Sequence, residues 1–117
     1  MSDTDTITIG YWSIGGLASG LRMMVMHSGK TLNNVMYDFK LKDGKMDPSE
    51  WFNTKPALKE KNPLMNLPYV LDGDMVVTQT NACYSYLGRR LKLWGNTEAE
   101  VVKCEEMLCE IMDIRNA

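Results

Sequence analysis

A proline placed directly before a short apolar run marks the part of this sequence best suited to binding a ligand. The segment Asn66-Leu67-Pro68-Tyr69 leads into Val70-Leu71-Asp72-Gly73. Proline removes a backbone donor and often marks a cis turn, in which the backbone of the preceding residue faces outward instead of pairing in a sheet. These residues therefore predict an open strand edge to which a peptide could bind.

Gln79 and Thr80 follow a few positions later, at the start of a helix-like run. Helix N-termini attract carboxylates because their first N–H groups lack intrahelical partners and because the helix dipole is positive there. A carboxylate-binding feature is thus predicted close to the peptide-binding edge.

Aromatic residues form a third candidate group. Tyr11 and Trp12 follow Gly10 just beyond the first predicted strand. Open α/β sheets tend to build binding sites there, although two half-buried aromatics without a chemical role fit the position as well. Trp51 and Lys55 lie four residues apart, and a solvated cation packed on an indole is the more frequent explanation of such a pair.

Histidine and metal chemistry are not indicated. His27 is the only histidine, so no histidine-based catalytic triad can be built. The acidic residues of the predicted loops lack a spacing that would organise a metal, and no metal site is predicted. These residues are Asp43, Asp47, Glu50, Asp72 and Asp74.

The first forty residues predict a strand, a helix and a second strand. Polar and apolar residues alternate over Thr6-Ile7-Thr8-Ile9, and apolar residues recur at helical spacing from Leu17 to Gly29. A second alternating strand is predicted from Val35 to Leu41, after a turn around Leu32-Asn33-Asn34.

The stretch from Lys42 to Pro63 is polar and contains several prolines. Proline and glycine interrupt regular structure, so this stretch predicts a loop-rich excursion. One short helical piece is expected around Pro48 to Phe52.

The next residues predict a hairpin and a helix. Asp72-Gly73-Asp74 is a turn signal between strands from Tyr69 to Leu71 and from Met75 to Val77. A helix from about Thr80 to Leu91 follows. Basic residues near its C-terminal end are expected to cap it; they are Arg89, Arg90 and Lys92.

This order, βαβ followed by ββα, predicts an α/β chain with a thioredoxin-like fold followed by a long C-terminal helix. The predicted domains are a thioredoxin-like unit over 1–92 and a linker with a long helix over 93–117. Thr97 and Glu100 form a capping-box sequence at the start of that helix. Its apolar stripe is too broad to be left in water and must pack on the α/β unit, on another chain or on both. The stripe consists of Val101, Cys104, Leu108 and Ile111.

The composition favours a small molecule or a protein as partner. The 117 residues are 44% hydrophobic, enough for one core, and carry a formal net charge of −2. Neither nucleic acid nor anionic lipid is therefore a predicted partner. The three cysteines lack disulfide or zinc spacing, and the sequence shows neither a leader-like start nor a long apolar run. These features predict a soluble, cytoplasmic protein without membrane insertion.

Several groups of residues, in order over almost the whole chain, match a known pattern. They are Gly10-Tyr11-Trp12 with Gly16-Leu17, the segment from Ser49 to Lys55, the segment from Asn66 to Gly73, the segment from Thr78 to Ala82, and Met112-Asp113. With these residues the chain resembles the N-terminal domain of glutathione transferases. Gly-Tyr-Trp together with Trp51 and Lys55 indicates the mu class.

The resemblance implies that the chain binds glutathione as its co-substrate and conjugates it to a small electrophile. Tyr11 matches the catalytic tyrosine whose hydroxyl donates a hydrogen bond to the glutathione sulfur and stabilises the thiolate. Lys55 matches a residue that holds the glycyl carboxylate, with Trp12 and Trp51 as its neighbours in that role.

The resemblance also assigns the two features found first. Asn66 and Leu67, ahead of Pro68, match the edge that pairs with the cysteinyl backbone of glutathione. Gln79 and Thr80 match the site of the γ-glutamyl carboxylate at a helix N-terminus.

Further matches concern the dimer and the pocket. Asp113 matches an acid that reaches the γ-glutamyl amine from the other subunit of a homodimer, Leu17 matches a residue lining the site, and Leu64 matches an apolar key residue. Two charges that mu enzymes carry near the site are missing, since Pro48 and the run Ser13-Ile14-Gly15-Gly16 stand in their places.

Two functions follow from the resemblance. The first is a detoxifying glutathione transferase, favoured because the polar residues of the site are retained. Family members carry an all-helical domain that supplies much of the pocket for the electrophile, and residues 93–117 correspond only to the linker and first helix of that domain. The alternative is therefore a non-catalytic, transferase-derived subunit that joins a larger assembly through the apolar stripe.

Overall fold

Two parallel strands joined by a helix form the first part of the computed structural model, which describes residues 5–117. Strand β1 (Thr6–Trp12) pairs along its whole length with strand β2 (Thr31–Tyr37), and helix α1 (Ser19–Ser28) connects them. A single 3-10 turn, Gly16–Ala18, precedes α1. The helix ends at Gly29, whose φ of +83° is a left-handed conformation that glycine adopts without a steric cost.

An antiparallel hairpin completes the sheet and is followed by a helix. Strand β5 (Tyr69–Asp72) pairs with β1, and strand β6 (Met75–Thr78) pairs with β5, which gives the strand order β2-β1-β5-β6. Helix α3 (Thr80–Arg90) follows. The predicted hairpin is confirmed, and Gly73 occupies its turn with a φ of +59°.

The stretch from Lys42 to Pro63 is where the sequence-based expectation is wrong. It contains a small hairpin, β3 (Lys40–Lys42) with β4 (Lys45–Asp47), and then helix α2 (Ser49–Lys61) of 13 residues instead of a loop with one short helical piece. The helix continues through Pro56, which cannot donate the usual backbone hydrogen bond. Trp51 and Leu58 of α2 pack in a cluster with Tyr37 and Tyr69 of the sheet, and such contacts between distant residues cannot be read from proline content.

The start of β2 also differs from the expectation. The strand begins at Thr31, includes the asparagines that predict a turn, Asn33 and Asn34, and ends at Tyr37 instead of Leu41. Both are exposed on an edge strand, where polar side chains are tolerated. The Asn33 side chain donates to Thr8 Oγ1 on β1 at 3.1 Å, so the pairing itself uses the polar residue.

Helix α4 (Glu98–Arg115) follows a short linker and begins with the predicted capping box. The Glu100 N–H donates to Thr97 Oγ1 at 3.2 Å, and the Thr97 N–H donates to Glu100 Oε1 at 3.1 Å. None of its residues is buried within the described part of the chain, and Ile111 is 52% exposed. The α4 stripe is thus only partly covered by the α/β unit. The predicted α/β, thioredoxin-like order with a long final helix is confirmed.

Two clusters of buried side chains hold the sheet between its helices. One packs α1 and α3 against one face of the sheet and includes Ile7, Ile9, Leu21, Val25, Val70 and Leu87. The other consists of Tyr37, Trp51, Met65 and Tyr69. Trp12 and Leu67 contact both clusters. No helix within residues 5–117 is long and apolar enough to cross a lipid bilayer.

A buried ion pair joins the hairpin to the end of α3. Arg90 Nε donates to Asp72 Oδ2 at 2.9 Å, and the Tyr86 hydroxyl donates to the same oxygen at 2.6 Å. The Asp72 side chain is fully buried and that of Arg90 is 8% exposed. The expectation that Arg90 caps the helix is therefore wrong, since its guanidinium is used inside the fold. Burial, with the neighbouring Asp72, raises the pKa of Tyr86 to about 12.

Replacing Arg90 with methionine should destabilise the protein strongly. The change keeps the aliphatic stem but removes the guanidinium that pairs with the buried Asp72 carboxylate, which costs about 3–5 kcal/mol. Urea unfolding at neutral pH measures the loss. Arg89→Met is the matched control, because Arg89 is exposed one position earlier and its replacement should change the free energy of unfolding by less than about 0.5 kcal/mol. Equal losses for the two variants would contradict the role of the ion pair.

Candidate functional site

Tyr11 and Trp12 are the last two residues of β1 and not beyond it as predicted, and the Tyr11 ring is buried against the turn that precedes α1. The side chain is 7% exposed. A Cβ atom added at Gly16 would lie 2.8 Å from Tyr11 Cε2 and 3.0 Å from its hydroxyl oxygen. The phenol therefore reaches the Gly16 backbone, directly before Leu17. Only a glycine leaves room for the ring in this position.

The sheet register brings the cis-proline segment to Tyr11. Strands β1 and β5 pair Ile9 with Val70 and Gly10 with Tyr69. Tyr11 and Pro68 are therefore each one residue beyond the last pair of this register. The peptide bond between Leu67 and Pro68 is cis. Tyr11 and the cis-proline segment thus lie at the same end of the β1–β5 pairing.

A threonine that sequence reasoning missed holds this segment in place. Thr78, at the end of β6, is almost fully buried, and its hydroxyl donates to the Asn66 carbonyl at 2.7 Å. The Asn66 N–H donates back to Thr78 Oγ1 at 2.9 Å. Asn66 Oδ1 accepts from the Leu67 N–H at 3.0 Å. The sequence signal for this role is a hydroxyl residue at the end of an apolar strand, directly before Gln79.

Gln79 carries the backbone outlier of the site. Its φ is +76°, a region that costs a non-glycine residue about 1–3 kcal/mol and that occurs preferentially at functional sites. Its side chain Nε2 donates to the Leu64 carbonyl at 3.4 Å. Helix α3 begins at Thr80, and the side chain of its N-cap residue, Gln79, makes no capping hydrogen bond. The N–H groups there can receive a carboxylate.

An arginine on α1 fixes the loop after Tyr11, and sequence reasoning missed it too. Arg22 Nη2 donates to the Trp12 carbonyl at 3.2 Å, and Nη1 donates to the Ile14 carbonyl at 2.7 Å. Trp12 itself stacks on Phe39, with ring centroids 4.1 Å apart. A single arginine in an otherwise uncharged helix is the signal that could have identified this role.

Trp51 and Lys55 lie one turn apart on α2, in different surroundings. Trp51 is 1% exposed and packs against Tyr37 and Tyr69. The Lys55 ammonium lies 5.7 Å from the centre of the Phe52 ring. The expectation that Lys55 packs on the Trp51 indole is therefore wrong, since its ammonium lies over the Phe52 ring instead. Lys55 is half-buried.

The two remaining predicted residues lie on helical segments. Leu17 is half-buried in the turn before α1, and its carbonyl accepts a hydrogen bond from the Tyr84 hydroxyl at 2.8 Å. Asp113 is exposed near the end of α4. Its predicted role requires a second chain, so that role stays a prediction.

A separate cavity of about 630 Å³ lies between α4, the linker and the ends of α1 and α3. Its lining is mostly apolar and includes Tyr84, Trp94, Met107, Leu108 and Ile111. None of the predicted glutathione-binding residues lines it. Within residues 5–117 no group of three or more histidine, cysteine or acidic side chains is arranged to hold a metal ion.

Comparison with known proteins identifies relatives that match nearly the whole chain. The family model for the glutathione S-transferase N-terminal domain matches residues 7–89. Glutathione S-transferase 2 of Gallus gallus is 36% identical over 117 residues, covering 95% of this chain and 49% of that protein. Glutathione S-transferase Mu 7 of Rattus norvegicus is also 36% identical, covering 93% and 49%. The chain spans about half the length of the curated relatives it matches.

Solved structures agree with the fold. The crystal structure of the glutathione S-transferase from Ascaris lumbricoides superimposes with a TM-score of 0.70 at 28% identity, covering 95% of this chain and 48% of that one. A Nu-class protein from Haemonchus contortus gives a TM-score of 0.73 at 20% identity, covering 95% and 48%. At that lower identity the likeness supports the fold alone.

Replacing Gly16 with alanine should displace the Tyr11 ring. The added Cβ would overlap the phenol, and the left-handed backbone at φ +49° adds its own cost. Gly29→Ala is the matched control, because Gly29 has a φ of +83° but nothing within 4 Å of its added Cβ. Both variants should lose about 1–2 kcal/mol for the backbone, and Gly16→Ala about 1–3 kcal/mol more for the overlap. Equal free energies of unfolding in urea would show that the ring is not held against Gly16.

Proposed function

The chain belongs to the glutathione S-transferase N-terminal domain family, and we propose that it binds glutathione and activates its thiol for conjugation to small electrophiles. The observation that carries this proposal is the β1–β5 register, whose last pair, Gly10 with Tyr69, is followed directly by Tyr11 on one strand and preceded by the cis Pro68 on the other. A phenol that can donate a hydrogen bond and a backbone edge that can hold an extended peptide then face the same ligand.

Tyr11 is the proposed catalytic residue. Its hydroxyl donates a hydrogen bond to the glutathione sulfur, which favours thiolate over thiol and lowers the pKa of the thiol. Glutathione releases the thiol proton to solvent, the sulfur forms a bond to the electrophilic carbon, and the leaving group departs with its bonding electrons. No metal takes part in this proposal.

The other site residues hold the peptide. The Leu67 carbonyl, before Pro68, accepts from the cysteinyl N–H, and Asn66, whose side chain accepts from the Leu67 N–H, supports that edge. Gln79 and Thr80 place the γ-glutamyl carboxylate at the N-terminus of α3, where uncapped N–H groups and the helix dipole favour an anion.

The glycyl carboxylate is assigned to the side of the site formed by α2. Lys55 supplies the positive charge, while Trp12 and Trp51 form the walls. Leu17 lies against the Tyr11 side of the same site. This arrangement gives each of the two carboxylates of glutathione a separate binding group.

The assembly and location are part of the same proposal. We place residues 1–92 in a glutathione-binding domain and residues 93–117 in a linker and helix of a second domain. A homodimer lets Asp113 of one chain reach the γ-glutamyl amine bound to the other. Free cysteines at Cys83, Cys104 and Cys109 fit a reducing compartment such as the cytoplasm.

The exposed face of α4 favours a second candidate function. A transferase-derived subunit without catalysis would use this face to join a larger assembly, because apolar residues there are uncovered in the described chain. The two functions differ in whether the protein needs the Tyr11 hydroxyl, since only a transferase uses it to activate the glutathione thiol.

Replacing Tyr11 with phenylalanine should raise the pKa of bound glutathione without abolishing its binding. The variant keeps the ring but removes the donor to sulfur, so the thiolate absorbance near 240 nm and the rate with an aryl halide should appear at higher pH. A shift of one pH unit, about 1.4 kcal/mol, is the minimum expected. Calorimetry on the same samples measures the affinity for glutathione.

Tyr86→Phe is the control for this measurement. It removes another buried hydroxyl, but one that donates to Asp72 and to no predicted site residue. Its thiol titration should match that of the unchanged protein. An unchanged protein that does not bind glutathione would refute the transferase proposal, and an unshifted titration in the Tyr11 variant would refute the role of the phenol.

Two charge substitutions separate the possible modes of assembly. Leu64 is 70% exposed beside Gln79, and Ile111 is 52% exposed on α4. If the chain forms a transferase-type dimer, Leu64→Glu should shift it to monomer in size-exclusion chromatography with light scattering, while Ile111→Glu should leave the dimer intact. The reverse result would favour assembly through the α4 stripe, and a monodisperse monomer without either change would contradict both modes.

A further inference from the structure

Three aromatic rings pack together where α2 meets the sheet. They are Tyr37, Trp51 and Tyr69, and are called the aromatic cluster below. Trp51 meets Tyr37 edge to face at 5.0 Å and stacks on Tyr69 at 6.0 Å between ring centroids. The hydroxyls of the two tyrosines form a buried hydrogen bond of 2.6 Å. Trp51 is therefore held by two rings that are themselves joined.

The tyrosines belong to strands on opposite sides of β1. Tyr37 ends β2, and Tyr69 begins β5, so β1 separates them in the sheet. Two strand spacings amount to about 10 Å between backbones, which the side chains must bridge. Gly10 makes the bridge possible, because a Cβ atom added there would lie 2.1 Å from Tyr69 Cζ. The hydrogen bond thus depends on a glycine at this position of β1, because any side chain there would occupy the place of the Tyr69 ring.

Tyr37 and Tyr69 each adjoin a residue of the proposed glutathione site, and Trp51 is itself one of its residues. Tyr37 pairs with Trp12 in the β1–β2 register, and Tyr69 follows Pro68 directly. Trp51 lies one helical turn before Lys55 on α2. The hydrogen bond between the tyrosines therefore links the cis-proline edge to the side of the site assigned to the glycyl carboxylate.

We infer that the Tyr37–Tyr69 hydrogen bond is a positioning pair that orients Trp51, and with it Lys55 on α2, toward the glycyl carboxylate of glutathione. The inference rests on the proposed glutathione binding. Neither tyrosine touches the sulfur, and neither is a catalytic residue. The pair acts on how tightly the glycyl end of the ligand is held.

Both hydroxyls stay protonated over the working pH range. Burial raises the pKa of Tyr37, which its hydrogen bond to Tyr69 partly offsets. Burial, followed by the hydrogen bond with Tyr37, raises the pKa of Tyr69. The contribution of the pair to binding should therefore be constant between about pH 6 and pH 8, since free tyrosine titrates only near pH 10.

The test compares glutathione with γ-glutamylcysteine, the dipeptide that lacks the glycyl residue. Tyr37→Phe, Tyr69→Phe and the double variant remove the hydrogen bond while keeping the rings. Calorimetric titration should show glutathione bound about fivefold more weakly by each variant, the equilibrium equivalent of one net hydrogen bond of about 1 kcal/mol. The affinity for γ-glutamylcysteine should not change.

The double variant and a control keep the result interpretable. A single variant leaves one buried hydroxyl without a partner and can lose stability for that reason, whereas the double variant leaves none. Tyr86→Phe, in the other core cluster, should change neither affinity. Circular dichroism verifies that each variant is folded.

Each outcome is decisive. Equal losses for glutathione and the dipeptide, or no loss for glutathione in the folded double variant, would overturn the positioning role while leaving the proposed function intact. Failure of the unchanged protein to bind either ligand would overturn the proposed function and the positioning role together.

Discussion

Hydrogen bonding of β1 on both of its edges is the constraint on which the rest of this structure depends. Parallel pairing with β2 sets Trp12 beside Tyr37, and antiparallel pairing with β5 sets Gly10 beside Tyr69. A strand paired on both sides cannot shift by one residue without turning its core side chains outward. The position of Tyr11 beside the cis-proline segment therefore follows from the register of one strand.

Buried and partly buried polar contacts then fix the loops outside the sheet. Thr78 fastens the Asn66 backbone, Arg22 fastens the loop after Trp12, and the Asp72–Arg90 pair joins the hairpin to α3. A buried polar group is costly unless it is paired, so each of these contacts favours one arrangement of its loop over the alternatives. The loops around Tyr11 are held by side chains outside the set that would touch a ligand.

Sequence reasoning succeeded where the signal was local and failed where packing decided. The Asp-Gly hairpin, the Thr97 capping box and the strand at Thr6 each depend on a few adjacent residues, and all three are present. Helix α2 and the early start of β2 were misjudged, because proline and asparagine disfavour regular structure locally while tertiary contacts compensate. Arg90 was misjudged for a similar reason, since its buried partner lies 18 residues away in the chain.

The residue types of the candidate site were determined by the sequence alone. Tyr11, the Asn66–Pro68 segment and the Gln79–Thr80 helix start can be recognised because each carries its chemistry in a short run. Only the tertiary structure decided that these runs meet, that Gln79 takes a left-handed backbone, and that Tyr37 and Tyr69 join across Gly10. Contacts between distant residues depend on strand register and on the space left by small side chains, and neither is encoded in any single stretch of the chain.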